Sequence, residues 1–350
     1  MGGYRVRRRQ PDHELTDRIE QQIVAPRVSD VCGTTRPDPA GGHRRLRLGH
    51  WPAKARAARD NAGVEDSRHT AIGLLNPGEM GAAVGRCLTR LGHPVLWASD
   101  GRSADTAARA AAAGLTDAGT IAGVVGAADV ILSICPPHAA LDTAWAVHGF
   151  GGLYVDANAI SPGTAREAAQ MITESGGRYV DGGIIGPPPA GPGTTRLYLS
   201  GADAAQVAGL FAGTPLDARV VAGATTAASA VKMAYAGWTK GTAALLLAVR
   251  ALAREQGVED TLLAEWALSQ PALAQRSSGA ASSAAAKGWR WVAEMEEIAA
   301  TMSAAGLPDG FHQAAAEVFR RAPRARPAAD PASNALEQVL AALTGDGSAD

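Results

Sequence analysis

Residues Asn76-Pro77-Gly78-Glu79-Met80-Gly81, with Gly85 four residues on, have the types and spacing of a turn that cradles phosphates. Such a turn needs glycine where the chain bends tightly, where backbone approaches a pyrophosphate, and where helix packs on strand. Gly78, Gly81 and Gly85 supply the second and later positions, and Asn76 replaces the first glycine. Asn tolerates a left-handed backbone better than most residues, so the exchange is chemically mild. A helix opening near Gly81 would aim its N–H groups and its dipole at the phosphates. About 20 residues on, where the motif places its cofactor-selecting residue, stands Ser99-Asp100-Gly101-Arg102-Ser103. An acid there binds the ribose 2′-hydroxyl of NAD, whereas an arginine accommodates the 2′-phosphate of NADP. Arg102, flanked by the hydroxyls of Ser99 and Ser103, favours NADP, with NAD possible. The plainer alternative is Arg102 as a solvated residue at a helix start.

A glycine-rich turn alone is a weak signal, and its placement decides the reading. TAIGLL is a strand before it, GAAVGRCLTRLG a helix after it, and HPVLWAS a second strand. SADTAARAAAAG and AGVVGAAD read as helices, DVILSICPP and LYVDANAIS as strands. Ser161 then caps a helix with Pro162 at its first position, and GRYVDGGII and TRLYLSG close the pattern. Strands alternating with helices predict βαβ units and a mostly parallel sheet, a Rossmann-type doubly wound α/β domain over residues 69–222. After about Gly223 strand signals stop, and an all-α domain is expected over 223–321. Its first helix, ATTAASAVKMAYAGWTKGTAALLLAVRALAREQG, is apolar over much of its circumference, the pattern of a helix buried on several sides, often by another subunit. Gly237 and Gly241 share a face and permit close approach of a second helix. DTLLAEWALSQ, KGWRWVAEMEEIAATMSAAG and FHQAAAEVFRR read as further helices. Trp289, Met295 and their neighbours read mainly as a core stripe, with Arg290 and Glu294 an exposed i,i+4 pair. Trp291 and Glu294 are also pocket candidates.

Composition narrows the classes. The chain has 350 residues, 46% hydrophobic and 19% charged, enough for about two domains with a large core. A formal net charge of -1 gives no support to nucleic acid or an acidic membrane surface as a partner. No apolar run is long enough for a membrane span. Cys32, Cys87 and Cys135 are widely spaced, with no pattern of a disulfide framework or zinc site, which fits a reducing cytoplasm. Cys87 and Cys135 read as small core residues. Residues 1–68 are rich in Arg, Pro and Gly and read as a disordered leader rather than a basic nucleic-acid arm. Residues 322–350 read as a Pro/Ala linker and tail, with a short helix possible at NALEQVLAALTG.

GLLNPGEMG, DVILSICPP, VDANAISPGTA, DGGIIGPPPAGPGTTRLYLSG and AASAVKMAYAGWTKG follow one another in an order that resembles the β-hydroxyacid dehydrogenases. That family also includes 6-phosphogluconate dehydrogenase and a set of imine reductases. The resemblance spans about Thr70 to Arg320. It implies hydride transfer between a nicotinamide cofactor and a small carboxylate or carbonyl substrate, in a homodimer whose helical domain closes the cleft. Cys135, Pro136 and Pro137, ending DVILSICPP, would then lie beside the cofactor.

Lys232 matches the family's general acid/base. A Lys ammonium donates to a carbonyl oxygen as hydride arrives, provided desolvation or a nearby cation brings its pKa toward the working pH. The plain alternative is a surface lysine, against which stand apolar Val231, Met233, Ala234 and Tyr235. Asn158 matches a position that binds the substrate's carboxylate or hydroxyl, and Gly186 a loop whose N–H groups face a carboxylate. Departures are informative. Gly182 and Gly183 replace larger residues, and Ala236 stands where the family has Asn. Thr239 occupies the position of the glutamate of 6-phosphogluconate dehydrogenase, so sugar-phosphate decarboxylation is not expected. Lys240, two turns beyond Lys232, either binds substrate in compensation or is an exposed lysine. Imine reduction and non-catalytic NADP binding are the alternative functions.

Overall fold

A computed structural model describes residues 69–324 and 335–345. The leader expected over 1–68 lies outside the described residues. The first half runs β1 (Ile72–Leu74), α1 (Glu79–Arg90), β2 (Val95–Trp97), α2 (Ala104–Ala112), β3 (Thr116–Asp117), α3 (Ile121–Ala127), β4 (Val130–Ser133), α4 (Ala140–Ala146), β5 (Leu153–Asp156), α5 (Pro162–Glu174), β6 (Arg178–Ile185), β7 (Thr195–Ser200), α6 (Ala204–Gly209) and β8 (Leu216–Val220). The strands form one sheet in the order β3-β2-β1-β4-β5-β6-β7-β8. Every neighbouring pair is parallel except β6 with β7. Alternate residues of the central strands feed two cores: Val130, Leu132, Leu153 and Val155 on one side, Ile131 and Tyr154 on the other. That burial on both faces is why these strands read as continuous apolar runs. From β1 the chain winds outward through β2 to β3, then returns to β4 and winds the other way. The crevice at the carboxyl ends of β1 and β4 is thus the topological switch point, where such sheets bind ligands.

The second half is helical: α7 (Ala227–Glu255), α8 (Glu259–Ser269), α9 (Leu273–Lys287), α10 (Trp291–Ala304), α11 (Gly310–Arg321) and α12 (Ala335–Thr344). The long α7 is anchored at its start by the sheet. Buried Asp181 of β6 accepts from the N–H of Ser229 at 2.8 Å and from the hydroxyls of Ser229 and Ser200. Ser200 Oγ in turn accepts from the N–H of Ala228 at 2.9 Å. These bonds satisfy helix-start donors that would otherwise be orphaned. On its other side α7 receives α11: the His312 ring lies 3.2 Å from where a Cβ would stand at either Gly237 or Gly241.

The short helix read at NALEQVLAALTG is present: Ala335–Thr344 packs as α12 on α7 and α9, with Val339 and Leu340 fully buried. Other elements, among them α4, α6, β8 and α9, were not in the sequence reading. Leu273–Lys287 forms α9 although Ser and Gly blur its period; Ala280, Ala281, Ala284 and Ala285 bury its face. The segment around Trp289 is no single helix, because a 3-10 turn, Gly288–Arg290, separates α9 from α10.

Candidate functional site

The turn after β1 has the form of a pyrophosphate cradle. Gly78 N–H bonds to Asn76 O at 2.9 Å, and Ala82 N–H to Gly78 O at 2.8 Å, closing the bend into α1. A Cβ at Gly81 would collide with the Asn76 carbonyl, so no larger residue fits there. A Cβ at Gly85 would press on Leu74 and Leu115, the strand–helix packing position. Gly78 has open space where its Cβ would stand, which leaves its backbone accessible to a ligand. These residues fit a dinucleotide: open backbone at Gly78, tight packing behind it, and the start of α1, Glu79 and Met80 included, at the switch point. Pro77, beside them, offers its carbonyl to the Nε of Arg109 at 3.5 Å.

Arg102 is exposed, and its Nη2 donates to Leu75 O at 3.2 Å, folding it back over the turn. Ser103 is the N-cap of α2, its hydroxyl accepting from Thr106 N–H. The Ser99 hydroxyl and the Gly119 N–H hold the Asp117 carboxyl below its usual range. Arg109, on α2, is also braced by Thr106 at 2.9 Å. The sequence reading did not single out Arg109, because Arg102 precedes the helix and no periodicity links the two.

Cys135 and Pro136 follow β4, at the same crevice, and Pro137 begins a 3-10 turn. Burial pushes the Cys135 thiol up, so it is a neutral, half-buried packing group. Its N–H donates to Asn158 Oδ1 at 2.6 Å, and Asn158 Nδ2 donates to Ser133 Oγ at 3.0 Å. Asn158 is only 2% exposed, and its side chain ties the loops after β4 and β5 together. Beneath it, Asp156 accepts from the Asn158 N–H at 3.0 Å. Complete burial pushes the Asp156 carboxyl up to about 7. Gly186 has φ +122°, and a Cβ there would collide with the Thr194 carbonyl, so the β6–β7 connection itself demands glycine.

Lys232 and Lys240 meet at one carboxylate. Lys232 Nζ lies 3.3 Å from Glu294 Oε1, and Lys240 Nζ pairs with Oε2. Glu294 of α10 is buried, at 5% exposure, not the exposed partner of Arg290 expected from i,i+4 spacing. Arg290 instead reaches Glu79 of the cofactor turn at 3.6 Å and stacks on Trp289. Trp291 lies under Lys240 Nζ, 5.4 Å from its ring centroid, and packs edge-on against Phe319. A turn past Glu294, Glu297 accepts from Ser161 N–H at 2.7 Å and Thr164 hydroxyl at 2.8 Å, docking α10 on the start of α5. Missing larger side chains make this possible: a Cβ at Gly183 would lie 2.9 Å from Lys232 Cβ, so glycine lets α7 approach β6. Thr239 is exposed and donates to Tyr235 O, and Ala236 is buried. Among the described residues no group of three or more His, Cys, Asp or Glu is placed to hold a metal, and no helix is long and apolar enough to cross a membrane.

Residues 71–210 match the family described as the NAD binding domain of 6-phosphogluconate dehydrogenase. Residues 253–322 match a family described only as a domain of unknown function, DUF1932. No curated protein matches the chain. Among solved structures, a conserved hypothetical protein from Sinorhizobium meliloti 1021 is similar with TM-score 0.59 and 24% identity, over 80% of this chain and 97% of that one. The conserved protein MTH1747, of unknown function and described as similar to 3-hydroxyacid dehydrogenases, matches with TM-score 0.54 and 26% identity, over 71% of this chain and 96% of that one. A 3-hydroxyisobutyrate dehydrogenase from Mycobacterium tuberculosis, solved with L-serine, shares the fold with TM-score 0.58 and 18% identity, over 80% of this chain and 100% of that one. The Rossmann-type sheet followed by a helical region is thus the 3-hydroxyacid dehydrogenase fold. The chain carries an NAD-binding domain of the 6-phosphogluconate dehydrogenase type, followed by a DUF1932 domain.

Proposed function

We propose that this protein is an NADP-preferring oxidoreductase of the β-hydroxyacid dehydrogenase type, with Lys232 as general acid/base. The observation that carries the reading is the pairing of half-buried Lys232 with buried Glu294 on helices anchored to the cofactor-binding sheet. The nicotinamide cofactor, when bound, supplies or accepts the hydride at a substrate carbon bearing oxygen. Lys232 holds the matching proton at the substrate oxygen, giving it in reduction and receiving it in oxidation. Glu294 orients the Lys232 amine through its carboxylate, 3.3 Å away. Arg102 and Arg109, both tethered to the cofactor turn, would bind the 2′-phosphate of NADP. A small hydroxy or oxo acid is the substrate class, the surplus positive charge of the two lysines over one carboxylate attracting its anion. Asn158 serves this pocket by holding the loops after β4 and β5 in register.

Along α7, Trp238, Leu245 and Leu252 recur every seven residues and are exposed. A groove of about 360 Å³ lined by Gly241, Leu245, Phe311 and Val318 adjoins them. A stripe of this period seats another helix, and a second copy of the chain would cover it with two-fold symmetry.

The test compares wild type with Lys232→Ala on a panel of 2- and 3-hydroxy acids, aldehyde acids and cyclic imines, with cofactor affinity measured in parallel. Turnover should fall by about 10²–10⁴-fold with NADP affinity retained. Undiminished turnover of a cyclic imine by the variant would shift the reading to imine reduction, where the protonating residue need not be lysine. Wild type inert on the whole panel would favour a non-catalytic NADP-binding protein.

A further inference from the structure

Glu294 is the meeting point of two ammonium groups carried eight residues apart on α7. Its Oε2 takes a hydrogen bond from Lys240, but its Oε1 is buried and receives none of good geometry, although Lys232 stands 3.3 Å away. Lys232 is therefore held by charge rather than by a locked donor, and its N–H groups remain able to turn toward a substrate oxygen. We infer that Lys232, Glu294 and Lys240 form a charge-sharing unit in which Lys240 is a positioning residue, tuning the proton affinity of Lys232 through their common carboxylate. The inference rests on Lys232 as the proton donor and deepens it by naming what regulates that donor.

In a site with little water one carboxylate balances one ammonium, and the second positive charge has no partner of its own. The lysine whose surroundings favour the charge less gives up its proton first. Burial lowers Lys240 to about 8, Glu294 pulling it up and Lys232 and Lys287 pressing it further down. Burial pushes Glu294 up, yet Lys232 and Lys240 outweigh it and hold its carboxyl below the usual range. The charged or titratable groups facing this unit come from each packed element. Glu294 comes from α10, and Lys287 from the end of α9, 5.8 Å from the same Trp291 ring. His312 of α11 contributes its Nε2, 3.2 Å from Gly237 O, and Asp181 of β6 caps α7 one turn before Lys232. When Lys232 passes its proton to the developing alkoxide, an N–H bond breaks and an O–H bond forms. Lys232 then takes a proton back from solvent, its N–H bond re-forming, so the charge around Glu294 is restored at the end of the cycle.

Competitive acetylation of the full chain with acetic anhydride, from roughly pH 6 to 11 and read at each lysine by mass spectrometry, gives both midpoints without any turnover. Lys240, lowered to about 8 by burial, should become reactive at lower pH than an ordinary exposed lysine. Lys240→Met should raise the Lys232 midpoint by about one pH unit, the scale at which two sites titrate as a coupled pair. Glu294→Gln should lower it by a similar amount, and Lys240→Gln repeats the first test with a polar replacement. A Lys232 midpoint unmoved in the folded variants overturns the inference, whatever Lys232 does in turnover. A Lys232→Ala enzyme with full turnover would instead overturn the functional reading while leaving the coupled midpoints intact.

Discussion

Lys232 and Lys240 stand eight residues apart, so helical geometry by itself puts them on one face. Their partner was legible only as a pocket candidate, not as the carboxylate between them. Glu294 lies four residues after Arg290, and local spacing suggested a surface pair, but burial is decided by which helix crosses at that height. Arg102 was singled out by its place after β2, whereas Arg109 draws attention only once its guanidinium is seen folded back to Pro77. Both arginines give a prediction. Arg102→Ala and Arg109→Ala should each weaken NADP binding by about 1.5–3 kcal/mol, roughly tenfold or more, and leave NAD affinity nearly unchanged; calorimetric titration of the two cofactors reads the ratio. Equal losses for both cofactors would remove the 2′-phosphate role.

Asp156 gives a second prediction at this scale. Its carboxyl lies at about 7 in the fold against about 3.9 in an unfolded chain, so the folded state binds that proton more tightly. The stabilisation is fully present below about pH 4 and is lost as pH rises toward 7. Asp156→Asn is never charged and escapes the loss. Its stability relative to wild type should therefore improve by about 3 kcal/mol between pH 5 and pH 8, measured by urea unfolding at each pH. A difference that does not change with pH would show that the carboxyl titrates normally.

At the scale of elements, the central strands were readable because both faces are buried and their apolar runs sit between Gly, Pro and Asp. The edge strand β8, LDARV, was missed because only its first residue is buried and the rest carries charge. The helix α9 was missed because Ala and Ser at its contacts carry little hydrophobic signal; its stability comes from neighbours. The same neighbours explain α12. Arg250, 5% exposed, bonds to Glu259 Oε1 and to Ser277 Oγ, joining α7, α8 and α9. Arg254 links Glu259 to Glu337 of α12. Glu259→Ala strands the Arg250 charge in the core and should cost about 3 kcal/mol, seen as a lower urea midpoint with the far-UV spectrum unchanged. A loss below about 0.5 kcal/mol, the value of an exposed pair, would mean that water reaches Arg250.

At the scale of the molecule, Trp238, Leu245 and Leu252 form an apolar stripe that the long helix leaves uncovered among the described residues. Trp238 is 69% exposed and Leu252 61%. Sedimentation of the full chain should give a dimer, and Trp238→Glu combined with Leu252→Glu should shift it to monomer. A monomeric wild type at tens of micromolar, roughly, would end the two-fold reading. The division into a sheet half and a helical half was legible from periodicity, because period-2 and apolar runs stop at Val220 and helical spacing begins at Ala227. How the two halves meet was not legible, since contacts such as Glu297 with Ser161 join residues 136 apart in sequence.

That last contact has a consequence for anyone seeking to redesign this pocket. Glu294 and Glu297 ride on one stiff helix, less than a turn apart, and α10 rises about 1.5 Å per residue. A substitution that slides α10 to enlarge the room beside Asn158 and Ser161 must also drag the carboxylate between the two lysines. On the proposed function, substrate range and working pH would be linked by a single rigid lever. Variants selected for a bulkier substrate by moving α10 should come with a displaced pH optimum, whereas changes confined to the β6–β7 loop should broaden the range and leave that optimum in place.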